Sequence, residues 1–259
     1  MSAIAQASID ELNTLCRRLR LRYIREQAPD VLATAKAQRW DPTELLRVLL
    51  VAEAEGRDRA TIEHKRKKAK FPAGKTFDAW DPTRSSISDA VQQGLRTLEW
   101  IDRHENVVVC GPSGTGKSHF CEALGHAAIE TGHSVAWFSI EDLGVLVRRH
   151  RVDDTIAKAF TPIMRAQLII VDDIGLLPIG ADAAEGLYRL IDIAYERRSV
   201  AVSSNLHPSG FDQLMDHTIA TALVDRLMHH AHPVVTEGES VRLNDAINGK
   251  GVKPLGSRN

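Results

Sequence analysis

The sequence lacks the features that would place the chain in a membrane or outside the cell. No apolar run approaches the length that spans a bilayer, and residues 1–6 lack the basic-then-apolar order of a secretory signal. Cys16, Cys110 and Cys121 are an odd, scattered set without the paired spacing of a zinc site or a disulfide framework. We therefore expect a soluble, cytoplasmic protein whose thiols are reduced.

Histidine is more plentiful, with 11 residues in the chain. His229, His230 and His232 cluster, but neither a partner cysteine nor an HExxH spacing accompanies them. The sequence therefore favours a structural role for this cluster over a metal site.

Charge is unevenly distributed along a chain whose formal net charge is only −1. Up to Lys70 there are 15 Lys/Arg and 10 Asp/Glu residues, whereas the remainder has 18 and 24. Apolar spacings of three and four predict helices over residues 8–70, divided by Pro29 and Pro42, with Asp41 as a cap. We predict a basic helical N-terminal domain over residues 1–74, and its charge suggests an anionic partner.

Short apolar runs alternate with helical stretches from residue 106 onward. The runs NVVVC, SVAWFS, LIIVDD and SVAVSS are typical of parallel strands that are buried on both faces. A fifth strand is expected near residues 240–243, after a helix that ends around His229. We predict an α/β three-layer core with a five-stranded parallel sheet over residues 75–248, followed by a flexible tail over residues 249–259.

Residues 111–118 match the phosphate-binding pattern GxxxxGK[ST] and lie directly between the NVVVC run and a helical segment. Backbone N–H groups of such a loop surround phosphate oxygens, and the helix N-terminus adds its positive end. Lys117 is expected to reach the outer phosphates of ATP, and the Ser118 hydroxyl to bind Mg²⁺. The predicted nucleotide-binding residues are Gly111, Pro112, Ser113, Gly114, Thr115, Gly116, Lys117, Ser118 and His119.

Two aspartates follow the apolar run at residues 168–171. Ligand sites form at the carboxyl ends of parallel strands, so Asp172 is expected to bind Mg²⁺ and Asp173 to polarise the attacking water. Asn205 ends the SVAVSS run, where its side chain would lie between Asp173 and the γ-phosphate. A helix cap at Asp173 and a turn at Asn205 are the simpler alternatives.

Basic side chains carry two further predictions. Arg226, on a predicted helix, would reach the ATP of a neighbouring subunit, with a surface ion pair as the alternative. The interval 141–165 is longer than a simple crossover and is basic, so DNA contact and a solvated helix face both remain open. The run HKRKKAK at residues 64–70 is a second DNA candidate. The predicted DNA-binding residues are Arg148, Arg149, Arg151 and Lys158.

With these elements in this order, the chain resembles AAA+ ATPases of the DnaA/DnaC/IstB clade, and IstB transposase-helper ATPases most of all. The segments that carry the likeness are KTFDAWD (75–81), GPSGTGKSH (111–119), LIIVDDIGLLPI (168–179), SSNLHPSGF (203–211) and ALVDRLMHHAHPVVTEGESVRL (222–243). One departure touches the predicted base, because IstB proteins often have glutamate where this chain has Asp173.

The resemblance implies a P-loop NTPase (AAA+) core without a full helical lid, so no sensor II arginine is assigned. It gives Asn205 the sensor I role and makes the interval 141–165 a helical insertion that lines a DNA channel. It also implies ATP-dependent oligomers that bind double-stranded DNA and hand it to a partner transposase. Loading of a replicative helicase, as in DnaC-like relatives, is the alternative.

Three other functional classes are compatible with a P-loop. A small-molecule kinase would have an arginine-rich acceptor lid and a GTPase an NKxD motif, and neither is found. A scaffold that binds ATP without hydrolysing it would follow if Asp173 were too short to act. ATP hydrolysis in the service of DNA transposition is therefore the prediction.

Overall fold

The computed structural model describes residues 3–151, 153, 155–175 and 179–248, with side chains from residue 9 onward. The chain divides into two compact units, residues 1–64 and 65–259. The domain boundary after Gly74 stays a prediction, and the expected tail at residues 249–259 lies outside the described residues. No helix within the described ranges combines the length and the apolar character needed to cross a bilayer.

The first unit is helical. Its helices are α1 (Ala3–Arg18), α2 (Arg22–Gln38) and the larger part of α3 (Pro42–Ala69). Pro42 occupies the first position of α3, and the Asp41 carboxylate accepts the Thr43 N–H at 2.8 Å, as the capping pattern predicts.

The expectation that Pro29 divides two helices is wrong, because Pro29 lies inside α2. Ile24 and Ala28 are buried against Cys16, and this packing offsets the hydrogen bond that a helical proline removes. The helix ends instead at Arg39, which adopts a left-handed conformation with φ 52°.

In the second unit, five strands form a parallel sheet in the order β2-β3-β4-β1-β5 within the described part of the chain. The strands are β1 (Asn106–Cys110), β2 (Val135–Ser139), β3 (Leu168–Ile174), β4 (Ser199–Ser204) and β5 (Ala231–Val235). The helices are α4 (Asp89–Arg96), α5 (Glu99–Asp102), α6 (Lys117–Glu130), α7 (Ile140–Arg151), α8 (Ile156–Phe160), α9 (Ala181–Ala194), α10 (His217–His229) and α11 (Val241–Ile247).

Helices cover both faces of this sheet, which gives the three predicted layers. On one face, alternate strand residues such as Ile169 and Val171 are buried in one cluster with Leu187 of α9 and Leu223 of α10. Ile170 faces the other way, since a Cβ added to Gly125 of α6 would lie 2.8 Å from its Cδ1. The continuous apolar runs therefore reflect burial on both faces.

The position expected for the fifth strand is wrong. The strand is Ala231–Val235, directly after α10, whereas Ser240 caps α11 by accepting the Leu243 N–H. His232 and Pro233 dilute the apolar pattern of β5 and hide it from a periodicity argument. Proline is tolerated there because β5 lies at the edge of the described sheet, where it pairs with β1. His232, also on β5, is 2.7 Å from the carboxylate of Glu105.

Candidate functional site

The phosphate-binding loop follows β1 and opens α6, as the motif predicts. Gly111 has φ 144° and Gly114 has φ 85°, conformations that disfavour other residues. Space is also lacking, because an added Cβ would lie 2.1 Å from the Thr236 carbonyl oxygen at Gly111 and 2.1 Å from Ser240 Oγ at Gly114. The loop can therefore take this shape only with glycine at both positions.

Residues that follow β5 hold the loop in place. The Thr236 N–H donates to the Cys110 carbonyl at 2.7 Å, and the Thr115 and Thr236 hydroxyls are 2.7 Å apart. The Val241 N–H donates to the Gly114 carbonyl at 3.0 Å. The phosphate loop is thus built on two segments that are more than a hundred residues apart in sequence.

Lys117 is buried at the start of α6. Its Nζ donates to the Pro112 carbonyl at 2.7 Å and to Asn205 Oδ1 at 2.9 Å. Burial lowers the pKa of Lys117, and the nearby carboxylates of Asp173 and Asp172 counteract part of this effect. Because the described residues provide two hydrogen-bond acceptors for three N–H donors, this buried ammonium favours a further anionic ligand.

Asp172 and Asp173 lie at an irregularity near the end of β3. The register between β3 and β4 shifts between Val171 and Ile174, and Asp173 has φ 67°. Ser203 of β4 replaces the missing ladder contacts: its hydroxyl donates to Asp172 Oδ1 and accepts the Asp173 N–H at 3.0 Å. Such bulges often re-aim side chains next to active sites.

Asn205 follows β4, the strand between β1 and β3, and therefore lies between the phosphate loop and the aspartates. Its Oδ1 accepts from Lys117, while its Nδ2 is 3.5 Å from Asp173 Oδ1, at the limit of a hydrogen bond. Burial and the negative charge of Asp172 raise the pKa of Asp173, whereas the Asn205 contact lowers it. The side chains of Lys117, Asn205 and Asp173 thus form one row at the carboxyl edge of the sheet.

A narrow cleft of about 120 Å³ joins the row to the phosphate loop. Its lining consists of Lys75, Ser113, Gly114, Gly116, Lys117, Ser118, His119, Asp173, Asn205, Val241 and Arg242. Gly111, Pro112 and Thr115 lie outside this lining. The Asp172 carboxylate is next to the cleft, where it raises the pKa of Lys117.

Two cationic residues of this cleft were not identified from the sequence. Lys75 belongs to the segment that precedes the core, and Arg242 lies in the first turn of α11. Arg242 was hidden because its segment was expected to be a strand. Lys75 had no local signal, since a single lysine in a linker is unremarkable. Arg242 contributes to the lowered pKa of Lys117, which reflects its proximity to the ammonium.

Arg226 lies on α10, as predicted, but outside the cleft lining. Its Nε pairs with Asp192 Oδ1 of α9 at 3.0 Å, and its guanidinium lies 5.7 Å from the centroid of the Tyr188 ring. The guanidinium also donates to the Ala222 carbonyl at 3.1 Å. Within one chain Arg226 is therefore an ion-paired residue at the helix surface, and its action on a neighbour stays a prediction.

The four predicted DNA-binding residues lie on α7 and α8, in the interval between β2 and β3. Arg148 and Arg151 face acidic residues of α9: Asp182 is 3.6 Å and 2.9 Å from them, respectively, and Glu185 also pairs with Arg151. Arg149 and Lys158 are exposed and have no ion-pair partner among the described residues. The positive charge of this surface is therefore partly compensated.

Comparison with known proteins gives a consistent assignment. A family model described as "IstB-like ATP binding protein" matches residues 14–248. A protein of Pseudomonas aeruginosa, named as an ATP-binding protein of insertion sequence IS21, is 31% identical over 237 residues, 91% of this chain and 89% of its own length. A counterpart from insertion sequence IS232 of Bacillus thuringiensis subsp. berliner is 29% identical over 92% of this chain and 96% of its own length.

Solved structures agree on the fold. The structure of AMPPCP-bound DnaA from Aquifex aeolicus aligns with a TM-score of 0.52 at 18% identity over 71% of this chain. The chain spans 58% of the length of that DnaA structure. Domain III of Thermotoga maritima DnaA gives a TM-score of 0.52 at 14% identity, over 70% of this chain and 74% of that one. These matches show a P-loop AAA+ fold, and with the family match over residues 14–248 they lead to one conclusion: the chain belongs to the IstB-like ATP binding protein family.

Proposed function

We propose that this protein is a Mg²⁺-dependent ATPase that assembles into an oligomer, binds double-stranded DNA and assists a partner transposase. The names of its relatives, which are ATP-binding proteins of insertion sequences, favour a transposase over a replicative helicase as the partner. A helicase-loading role is the alternative.

The observation that carries the proposal is the row formed by Lys117, Asn205 and Asp173. ATP supplies the anionic ligand that the buried Lys117 ammonium favours, and its outer phosphates take over contacts now made by the Pro112 carbonyl and Asn205. Asn205 orients the γ-phosphate, and Asp173, 3.5 Å from the Asn205 amide, polarises the attacking water. Lys75 and Arg242 add positive charge where negative charge develops during phosphoryl transfer.

Mg²⁺ fits the oxygen donors at the same edge of the sheet. The Ser118 hydroxyl lines the cleft, and Asp172 has one carboxylate oxygen that is not used by Ser203. Hydroxyl and carboxylate oxygens are the ligands that Mg²⁺ prefers in phosphate sites. When bound, the ion neutralises phosphate charge. Ser118 and Asp172 would hold it.

A second cleft beside the phosphate loop offers room for the nucleotide base. A cleft of about 220 Å³ on the far side of Gly116 is lined by Trp80, His119 and Arg84, among others. Trp80 packs edge-on against His119, with ring centroids 5.1 Å apart, and its Nε1 donates to Gln92 at 2.8 Å. An aromatic ring fixed in this way offers a flat apolar surface to a purine.

DNA binding and assembly draw on the remaining predicted residues. Arg149 and Lys158 offer exposed positive charge to DNA phosphates, whereas Arg148 and Arg151 must first leave the acidic residues of α9. Phosphate contacts carry no sequence information, which suits a protein that must accept varied target sites. In the oligomer, Arg226 completes the ATP site of a neighbouring subunit.

The test is ATP turnover with and without double-stranded DNA, combined with nucleotide-binding measurements. Lys117→Ala should lose ATP affinity, because the charge that compensates the phosphates is gone. Asp173→Asn should keep ATP binding but stall turnover. Matched controls are Lys36→Ala and Asp212→Asn, which change exposed residues that do not belong to the cleft lining. Equal loss of ATP binding in both site variants would contradict the division of roles. A wild-type protein that binds ATP without turnover would point to the scaffold alternative.

A further inference from the structure

A group of three metal-ligating side chains lies outside the nucleotide site. His229 ends α10, His230 follows it, and Glu196 lies just after the end of α9. One ligand atom from each of the three residues falls within 4.8 Å of the other two. We infer that His229, His230 and Glu196 form a binding site for a divalent transition-metal ion, with Zn²⁺ as the ion that suits it best.

The end of α10 is what brings two consecutive histidines together. Neighbouring residues inside a helix do not face each other. His230 leaves the helical conformation, with φ −126° and ψ 49°, and the two imidazole rings come to a centroid distance of 4.0 Å. Two imidazole nitrogens and one carboxylate oxygen are a ligand set that zinc accepts, with a fourth position open to water.

The separation of the ligand atoms is close to what coordination needs. His230 Nε2 is 3.6 Å from Glu196 Oε1. Zinc–nitrogen bonds of about 2.0–2.1 Å in a tetrahedral site put ligand atoms on the order of 3.3 Å apart. All three side chains are exposed, so small rotations can close the remaining gap without disturbing buried packing.

A further contact prepares His229 for this role. Its Nδ1 is 2.7 Å from the Tyr195 hydroxyl oxygen. Metal-bound histidines almost always donate their second ring N–H to an oxygen, and this fixes the tautomer that leaves the other nitrogen free to bind. In the tautomer whose Nδ1–H donates to the Tyr195 hydroxyl, the Nε2 lone pair of His229 is available to the ion.

The backbone of Glu196 offers a way to test the carboxylate. Glu196 has φ 56°, in the position just after a helix end where glycine is strongly preferred. Glutamate is strained there, so its replacement by glycine is expected to relieve strain in the backbone. Glycine would be more stable at this position, yet the residue found there is the glutamate whose carboxylate belongs to the cluster.

The third clustered histidine does not belong to the site. His232 lies on β5, and its Nε2 is 2.7 Å from Glu105. The sequence-based expectation of a purely structural cluster therefore applies to His232, whereas His229 and His230 are drawn together with Glu196 by the ends of α9 and α10. His232 also provides a matched control, since its removal changes the histidine count without touching the three ligands.

The experiment measures Zn²⁺ binding by the full chain without an affinity tag, reduced and free of nucleotide, in competition with a chromophoric chelator. Wild type should bind one equivalent that His229→Ala combined with His230→Ala loses, whereas His232→Ala should keep it. Tyr195→Phe should weaken this equivalent about tenfold, as loss of an outer-shell partner typically does. Unchanged stoichiometry and affinity in the double variant would overturn the proposal.

Thermal unfolding separates the removal of a ligand from damage to the fold. Because a ligand that binds only the folded state stabilises it, Zn²⁺ should raise the Tm of wild type and of His232→Ala. Glu196→Gly should be at least as stable as wild type in the absence of metal, since glycine relieves the left-handed backbone, yet it should gain less from Zn²⁺. An equal Zn²⁺-induced shift in Glu196→Gly and wild type would exclude the carboxylate as a ligand.

Discussion

The ion pair between Arg226 and Asp192 makes a specific prediction about the rate of ATP hydrolysis. If Arg226 acts on the ATP of a neighbouring subunit, it must first leave Asp192, whose carboxylate oxygen is 3.0 Å from its Nε. Asp192→Ala should therefore accelerate turnover, because the arginine no longer has to break this contact. Arg226→Ala should instead fold and bind ATP but hydrolyse it slowly.

The size of the acceleration follows from the exposure of the pair. The side chains of Arg226 and Asp192 are 32% and 46% exposed, and ion pairs at such positions contribute up to about 1 kcal/mol. A barrier lowered by about 1 kcal/mol corresponds to a rate increase of up to roughly fivefold. The contacts of Arg226 with Tyr188 and with the Ala222 carbonyl remain in the variant, so a larger effect is not expected.

The assay is steady-state turnover at saturating ATP and double-stranded DNA, at matched concentrations of assembled protein. The double variant with both substitutions should be as slow as Arg226→Ala alone, because Asp192 acts only through the arginine. Mixing Arg226→Ala with Lys117→Ala subunits should restore part of the activity through hybrid interfaces. An Asp192→Ala protein slower than wild type, or no recovery in a mixture that demonstrably co-assembles, would refute the reasoning.

Three other experiments test separate parts of the structure. Gly114→Ala should abolish tight ATP binding, because the new Cβ would lie 2.1 Å from the Ser240 hydroxyl oxygen. The control is Gly132→Ala, at a glycine with φ 96° and open space around it. This variant should cost only about 1 kcal/mol of stability and leave ATP binding intact. The double variant Arg149→Ala with Lys158→Ala should bind all DNA sequences more weakly. The slope of log affinity against log salt should become shallower by roughly one for each phosphate that is no longer neutralised. An unchanged slope would move the DNA site elsewhere. An arginine and then a histidine partner lower the pKa of Glu105 from 4.5 to about 2, so the stability it provides is present above pH 4.5 and is lost as the pH falls towards 2. The difference in Tm between wild type and Glu105→Gln should therefore be largest near neutral pH and shrink in acid.

The fold and the centre of the site could be predicted because their signals are local. A glycine-rich loop between an apolar run and a helix allows few other interpretations, and apolar runs of four or five residues indicate strands buried on both faces. Parallel strands end at one edge, so Asp172, Asp173 and Asn205 could be expected to converge without knowledge of the strand order.

The rest depends on contacts between distant segments. The fifth strand was predicted at the wrong position because His232 and Pro233 break the pattern of β5, and Arg242 was missed as a result. The positive charge of α7 is partly neutralised by α9, where Asp182 and Glu185 pair with Arg148 and Arg151. This is a tertiary contact that no spacing along the chain reveals. The same holds for Glu196, whose meeting with His229 and His230 depends on where two helices end.

The dependence of the phosphate loop on Thr236 and Val241 bears on how the protein is made. A ribosome delivers residues 111–118 long before residues 236–241, which hold that loop through the Cys110 and Gly114 carbonyls. Both neighbours of β1 in the sheet, β4 and β5, are also synthesised later than β1. A nascent chain halted before residue 236 would carry the complete nucleotide-binding motif without the contacts that shape it. Competence to bind ATP is therefore expected only after residue 241 has been synthesised.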